Sequence, residues 1–382
     1  MSESRVTLPE LVPPPVELPA GTDGLRAEVR EFLAEASFTP RVDSWLSGWD
    51  EKFSRELGRR GWLGMTVPQE YGGHGRRALE RYVVTEELLA AGAPVAAHWI
   101  ADRQIAPSLL RFGTEEQRAR FLPGIAAGEI YFGIGMSEPD SGSDLASVRS
   151  RAVRVAGGWE LSGSKVWTSG AHHAHAFFAL VRTSPAEEGT RHSGLSQLIV
   201  ELDSPGVTIR PIPLLTGAHH FNEVVFDEVF VPDTRVLGEV GRGWQQVTSE
   251  LAFERSGPER YLSTFPLLVA LLREAVQVDP ERLGGMVGRY RTLRAMSLAI
   301  AGALDAGRAP ELAAAVVKDL GTRFENEVID VCRTLLGVPP DPGGTGYPKL
   351  LADAVRHAPG FTLRGGTNEI LRGIVARGLG LR

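Results

Sequence analysis

The sequence predicts an α+β fold in which two helical regions flank a β-rich middle. Three observations predict it. Apolar residues recur at helical spacing from Thr22 to about Gly128, the period changes to two from about Ile130 to Leu237, and helical periodicity returns from about Gly243. A chain of 382 residues exceeds what one core organises. The divisions expected are an extended arm over 1–20, a helical domain over 21–129, an antiparallel β domain over 130–240 and a helical bundle over 241–382.

The arm carries Pro9, Pro13, Pro14, Pro15 and Pro19, which favour extended backbone, with Leu8, Leu11, Val12 and Val16 available to pack on the body. Leu25, Val29, Phe32 and Leu33 mark the first helix, and Trp45, Trp49, Phe53 and Leu57 continue at the same spacing. Residues 67–75 form a turn-rich loop. Helices follow over about Ala78 to Ala91 and Trp99 to Arg111, and Thr114 with Gln117 forms a capping box for the next. In the middle region residues 148–155 alternate, Gly157-Gly158 marks a hairpin turn, and residues 177–181, 197–200 and 224–226 read as strands. Beyond it, Leu251 to Leu272, Leu283 to Leu304 and Ala313 to Leu336 read as long helices. Leu350 to His357 and Asn368 to Leu379 are shorter, and Pro258 is placed to kink or end the first of them.

The stretch from Gly133 to Gly170 concentrates ligand-binding chemistry. A small-residue loop, Ser137 to Asp144, allows close backbone approach, and a strand ending Lys165-Val166-Trp167-Thr168-Ser169-Gly170 offers an aromatic wall and hydroxyl donors. The competing reading is loop capping for Ser137 and Ser143 and sheet packing for Trp167. The bulk properties narrow the partners. A net charge of −6 argues against nucleic acid, and the single cysteine, Cys332, excludes an intramolecular disulfide and a cysteine-rich metal site. The sequence shows neither a membrane-spanning apolar run nor a signal peptide, so a cytoplasmic protein is expected. His172, His173 and His175 lack a carboxylate cluster and do not read as a metal site; His219-His220 reads as a turn or an interface feature.

These motifs resemble the acyl-CoA dehydrogenase family. The matching stretches are Val67 to Gly73; Phe112 to Gln117 with Phe121-Leu122-Pro123; Met136 to Asp144; Gly163 to Trp167; and Gly365 to Ile370, in family order over nearly the whole chain. The resemblance implies FAD, with Met136, Ser137, Ser143, Trp167, Ser169, Thr367 and Glu369 around it. It also implies an acyl-CoA substrate that meets Ser143, Arg255 and Gly366, and electron transfer to another flavoprotein such as electron-transfer flavoprotein. A tetramer, either of one chain or with a related subunit, is implied as well.

The chain departs from the family at the base. Many members carry Glu-Gly-Thr where this sequence reads Gly365-Gly366-Thr367. A minority place a Glu-Arg pair on the first helix of the C-terminal domain, and Glu254-Arg255 occupies that position with apolar neighbours before it. Glu254 is the catalytic base on this reading. Segments that contact a neighbouring subunit's FAD in the family also differ, around Arg282 and at Thr334 in place of Gln. That leaves a non-catalytic subunit of a heteromeric dehydrogenase as an alternative. A flavin oxidase or monooxygenase on the same fold is another.

Overall fold

The computed structural model describes residues 11–255, 257–274, 279–308 and 310–381, with the side chains of residues 251–254 outside the described set. Packing divides the chain into a β-containing unit, Asp50–Gly75 with Ala96–Glu250, and a helical unit, Met1–Trp49, Arg76–Val95 and Leu251–Arg382.

In the β-containing unit the strands are β1 (Phe132–Gly135), β2 (Arg151–Val155), β3 (Gly158–Ser169), β4 (Ala176–Arg182), β5 (Leu195–Glu201), β6 (Val207–Pro213), β7 (His219–Pro232) and β8 (Val236–Leu237). They form one sheet in the order β6-β7-β3-β2-β4-β5-β8, with β1 beside β4. The hairpin turn expected at Gly157-Gly158 joins β2 to β3. The sheet is antiparallel except where β4 meets β1 and, at one residue pair, β2. The intervening β2–β3 hairpin supplies the length that the parallel β1–β4 crossover needs. β6 escapes the sequence reading because Pro211 and Pro213 interrupt its alternation.

Strand alternation explains the core. Phe177, Ala179 and Val181 on one face of β4 pack with Leu198, Val200, Val224 and Phe226. Phe178, on the other face, packs with Ile199, Ile105, Leu109, Phe121 and Leu122, so helices cover that side. The expected capping box is present, with Gln117 N donating to Thr114 Oγ1 at 3.3 Å and Thr114 N to Gln117 Oε1 at 3.1 Å. Two helical expectations change. The run through Trp45 and Leu57 breaks into Ser44–Ser47 and Glu51–Arg59, because Asp50 caps the second piece by accepting from Phe53 N at 2.9 Å. The helix over Trp99 to Arg111 contains a π-helical turn, Ala101–Ile105.

In the helical unit, Val16 and Leu18 of the arm pack on Leu79, Tyr82, Leu298 and Ala301; Val12 is exposed, and Leu8 lies outside the described residues. The helix expected over Leu251 to Leu272 is two helices. The first, Gly243–Arg255, stops before a 3₁₀ turn at Pro258–Arg260, and the second runs Phe265–Glu274. Pro258 therefore ends the helix instead of kinking it, since its nitrogen has no hydrogen to donate and its ring crowds the preceding turn. Among the described residues no helix is long and apolar enough to cross a membrane.

This unit buries charge. Asp43 is fully buried and accepts from Arg364 Nη1 at 2.5 Å and from His357 Nδ1 at 3.0 Å. Nearby, Glu325 is fully buried, accepts from Ser263 N at 2.9 Å, and leaves Oε2 without a partner. Burial pushes the Glu325 carboxyl up to about 7, with Asp43 adding to the rise. The folded state thus holds a proton that the unfolded chain releases. The associated stability is present below the ordinary carboxylate value of 4.5 and is lost as pH rises through about 7. Glu325→Gln is expected to flatten the pH dependence of the melting temperature across that window and to raise it at pH above 7, as thermal melts across pH will show.

Candidate active site: an aromatic wall and a two-glycine loop

The two signature stretches of the β-containing unit are one structure. Val166 N donates to the Ser137 carbonyl at 2.9 Å, and Lys165 Nζ donates to the Met136 carbonyl at 3.2 Å and to Glu138 Oε1 at 2.7 Å. Trp159, Leu161 and Lys165 share the inward phase of β3, so alternation drives the Lys165 side chain into the core, where it is fully buried. Glu138 answers it, and its carboxylate also accepts from Arg149 N at 2.6 Å and Ser150 N at 3.0 Å. Burial alone would raise the Glu138 carboxyl, but the Lys165 ammonium and these backbone donors hold it below the usual range. Burial likewise lowers Lys165, against the pull of Glu138. Charge therefore welds the loop to the strand.

Beyond Lys165 the strand changes character. Lys165 pairs with Val224 and Thr168 with Asn222, so three steps on β3 match two on β7. The extra residue forms a β-bulge that carries Trp167 at φ 62°, a left-handed conformation for a bulky residue. Trp167 stands 56% exposed, edge-on to Phe221. Among the described residues the hydroxyls of Ser137, Ser143 and Ser169 make no hydrogen bond. Met136 is half-buried against Val148, Leu180, Leu195 and Val247. Ser143 lies on an exposed turn that Ser141 braces through its bond to the Asp144 carbonyl at 2.8 Å.

The second constellation lies within the helical unit. Arg255, buried at the end of Gly243–Arg255, donates through Nε to the Gly365 carbonyl at 3.1 Å. The fully buried Lys318 donates to the Gly366 carbonyl at 2.6 Å and to Asn368 Oδ1 at 3.3 Å. Gly365 and Gly366 have φ of 67° and 90°, a region that favours glycine, and a Cβ on Gly366 would meet Arg255 Nη2 at 3.1 Å. Thr367 caps the helix Asn368–Gly378 by accepting from Ile370 N at 3.3 Å. Glu369 is exposed in its first turn, its carboxyl held low by its own backbone N–H and by the Thr367 hydroxyl. The backbone of Glu254 is in the last turn of Gly243–Arg255; its side chain lies outside the described residues.

Two segments that differ from the family pattern also come together. Arg282 Nη1 donates to Thr334 Oγ1 at 3.1 Å, and both line an open groove of about 880 Å³ with Arg289, Glu327, Asp330 and Arg333. The histidines before β4 do not lie on a strand. Residues 170–174 form a turn, so His173 and His175 do not share a strand face, and His219 begins β7. Among the described residues no group of histidine, cysteine or carboxylate is arranged to hold a metal.

Sequence models of the acyl-CoA dehydrogenase N-terminal, middle and C-terminal domains match residues 21–129, 133–229 and 275–380. The chain belongs to the acyl-CoA dehydrogenase family. It is an oxidoreductase of that class, and the helical, β-sheet and helical content in sequence order is the family's fold. Similar relatives include acyl-CoA dehydrogenase FadE26 of Mycobacterium tuberculosis, 33% identical over 93% of this chain and 96% of the relative. Acyl-CoA dehydrogenase IpdE1 of the same organism is 35% identical over 93% and 97%. Among solved structures, the Tcur3481-Tcur3483 steroid ACAD superposes with a TM-score of 0.84 at 30% identity, covering 96% of this chain and 99% of that one. The ChsE4-ChsE5 complex from Mycobacterium tuberculosis gives 0.82 at 30% identity, with 96% and 99% covered.

The motif reading missed the Lys165–Glu138 pair, although the inward phase of Lys165 signalled a need for an anionic partner. Lys165→Met strands the Glu138 charge and is expected to lower unfolding stability by about 3–5 kcal/mol. Pairing it with Glu138→Leu should recover most of that loss, as denaturant titration will show. Gly365→Ala is expected to cost about 1–2 kcal/mol in the same assay, because a Cβ is disfavoured at its φ.

Proposed function

We propose that this chain oxidises the Cα–Cβ bond of a CoA thioester with bound FAD, and that Glu254 is the base. The observation that carries the reading is the contact of Arg255 with the Gly365 carbonyl. It sets the last turn of the helix bearing Glu254 alongside the loop where the family resemblance puts the carboxylate of many members and where this chain has a left-handed glycine. The residues present fit a flavin. Trp167 presents an exposed aromatic face, and Ser137, Ser143 and Ser169 have uncommitted hydroxyls on the same signature stretches. In this proposal Trp167, Ser169, Met136, Ser137 and Ser143 would hold the flavin, Trp167 as an aromatic wall and Ser169 as a donor, and Ser143 would also meet the pantetheine arm. By the family resemblance Thr367 and Glu369 would also contact FAD. Bound FAD supplies the hydride acceptor.

The chain's own task is the proton. The α-hydrogen of a thioester is weakly acidic, so the Glu254 carboxylate must be near it and partly desolvated, which lifts its pKa towards working pH. Arg255 and Gly366 form the backbone-lined side of the substrate site. The likeness to a steroid ACAD supports a bulky, sterol-derived acyl group as substrate, and the family resemblance supports electron-transfer flavoprotein as the acceptor. A second reading, assembly with a related subunit that completes the FAD site, draws support from the polar Arg282–Thr334 groove.

The purified protein is expected to be yellow and to bleach when a suitable acyl-CoA is added anaerobically. Glu254→Gln should keep its colour and lose bleaching rate by about 10²–10⁴-fold, the usual contribution of a positioned base. Wild-type bleaching in that variant would refute Glu254. Colourless protein that gains flavin only with a co-expressed related subunit would select the second reading.

A further inference from the structure

Trp167 is held at a positive φ, a conformation that bulky residues avoid. Something beside it must supply the restraint. One residue after it, the Thr168 carbonyl accepts from Asn222 Nδ2 at 3.0 Å. Asn222 is fully buried on β7. A carbonyl only accepts, so the amide nitrogen of Asn222 must face Thr168, which fixes the orientation of its side chain. The second hydrogen of that nitrogen then points to His172 Nδ1 at 3.0 Å, and Asn222 Oδ1 faces His219 Nε2 at 2.8 Å. Hydrogen-bond polarity dictates the rest. His172 must present a bare lone pair at Nδ1, and His219 must carry its proton at Nε2. The His172 ring is stacked on His219, centroids 3.9 Å apart, and lies tilted by 45° against His173 at 4.0 Å.

We propose that His172, kept neutral and acting through Asn222, is a positioning residue that clasps the bulge bearing Trp167 and Ser169 in its flavin-binding conformation. The proposal rests on the flavin reading of those two residues. A proton on His172 Nδ1 would set two donors face to face and release Asn222. The surroundings oppose that proton. Burial pushes His172 down to about 4, and His173, His219 and His220 add to the fall, against the Asn222 contact, which raises it. Burial also lowers His173, while Glu51 raises it. The clasp is therefore expected to be closed at neutral pH and to open as His172 gains a proton in acid.

The test uses the holoenzyme with two substitutions. His172→Asn keeps an acceptor near the Nδ1 position without a titrating ring, and His172→Phe keeps the stack without the acceptor. Each is paired with Trp167→Phe, so that subtraction isolates the Trp167 emission, and the flavin spectrum and FAD affinity are followed from pH 7 to pH 4. Far-UV circular dichroism confirms folding. His172→Phe is expected to shift Trp167 emission and to weaken FAD by about 10- to 100-fold at pH 7, the effect of a buried donor without a partner. The wild type should show an acid transition in both signals, and His172→Asn should match it at pH 7 and stay flat in acid. Unaltered Trp167 emission in His172→Phe, or the wild-type acid transition in His172→Asn, would overturn the clasp. Absence of flavin from the wild type would overturn the flavin reading instead, because the emission signal needs no flavin.

Discussion

A lysine ammonium with no exposure to solvent, 2.7 Å from a carboxylate, is the constraint on which the β-containing unit depends. Strand alternation drives Lys165 inward, and a buried charge without a partner is not tolerated. Glu138 must therefore come to it, which draws the loop from Met136 to Asp144 onto the edge of β3. The two backbone donors that complete the carboxylate, Arg149 N and Ser150 N, tie down the far end of the same loop. One ion pair thus sets the relative placement of Met136, Ser137 and Trp167, which are distant in sequence. Arg182 reinforces the arrangement by donating to the Ala146 and Ser193 carbonyls at 2.9 and 3.0 Å.

The helical unit solves a similar problem with backbone. Two consecutive glycines with positive φ leave carbonyls turned towards Arg255 and Lys318, and each cation takes one of them. The loop is rigid without contributing a side chain. A reaction that needs a base must take it from elsewhere, and the helix terminated before Pro258 carries the carboxylate that the proposal uses. Ser137, Ser143 and Ser169 keep their hydroxyls, whereas Thr367 spends its own on a helix cap.

Much of this was legible in the residues. Apolar period separated helices from strands, and Thr114 with Gln117 announced a helix start that the structure contains. What was illegible has specific causes. The break between Ser44–Ser47 and Glu51–Arg59 hides inside an unbroken apolar spacing, because Asp50 signals a cap only once the backbone has turned. The π-helical turn at Ala101–Ile105 leaves no mark on composition. The role of the histidines leaves no mark on composition or periodicity. His172, in neither strand, meets Asn222 and His219 only after β3, β4 and β7 have assembled.

The sequence by itself determined the α+β layout, the family, and the residue types available to a flavin and a thioester, since periodicity and short motifs are local properties. Tertiary structure decided which of those residues were already committed. It joined Lys165 to Glu138, bent β3 at Trp167, ended the helix after Glu254-Arg255, and set Arg255 against Gly365. Each of these depends on a partner remote in the chain or on backbone conformation. Burial makes that dependence strict, because a desolvated charge or amide must find its complement wherever the fold brings one.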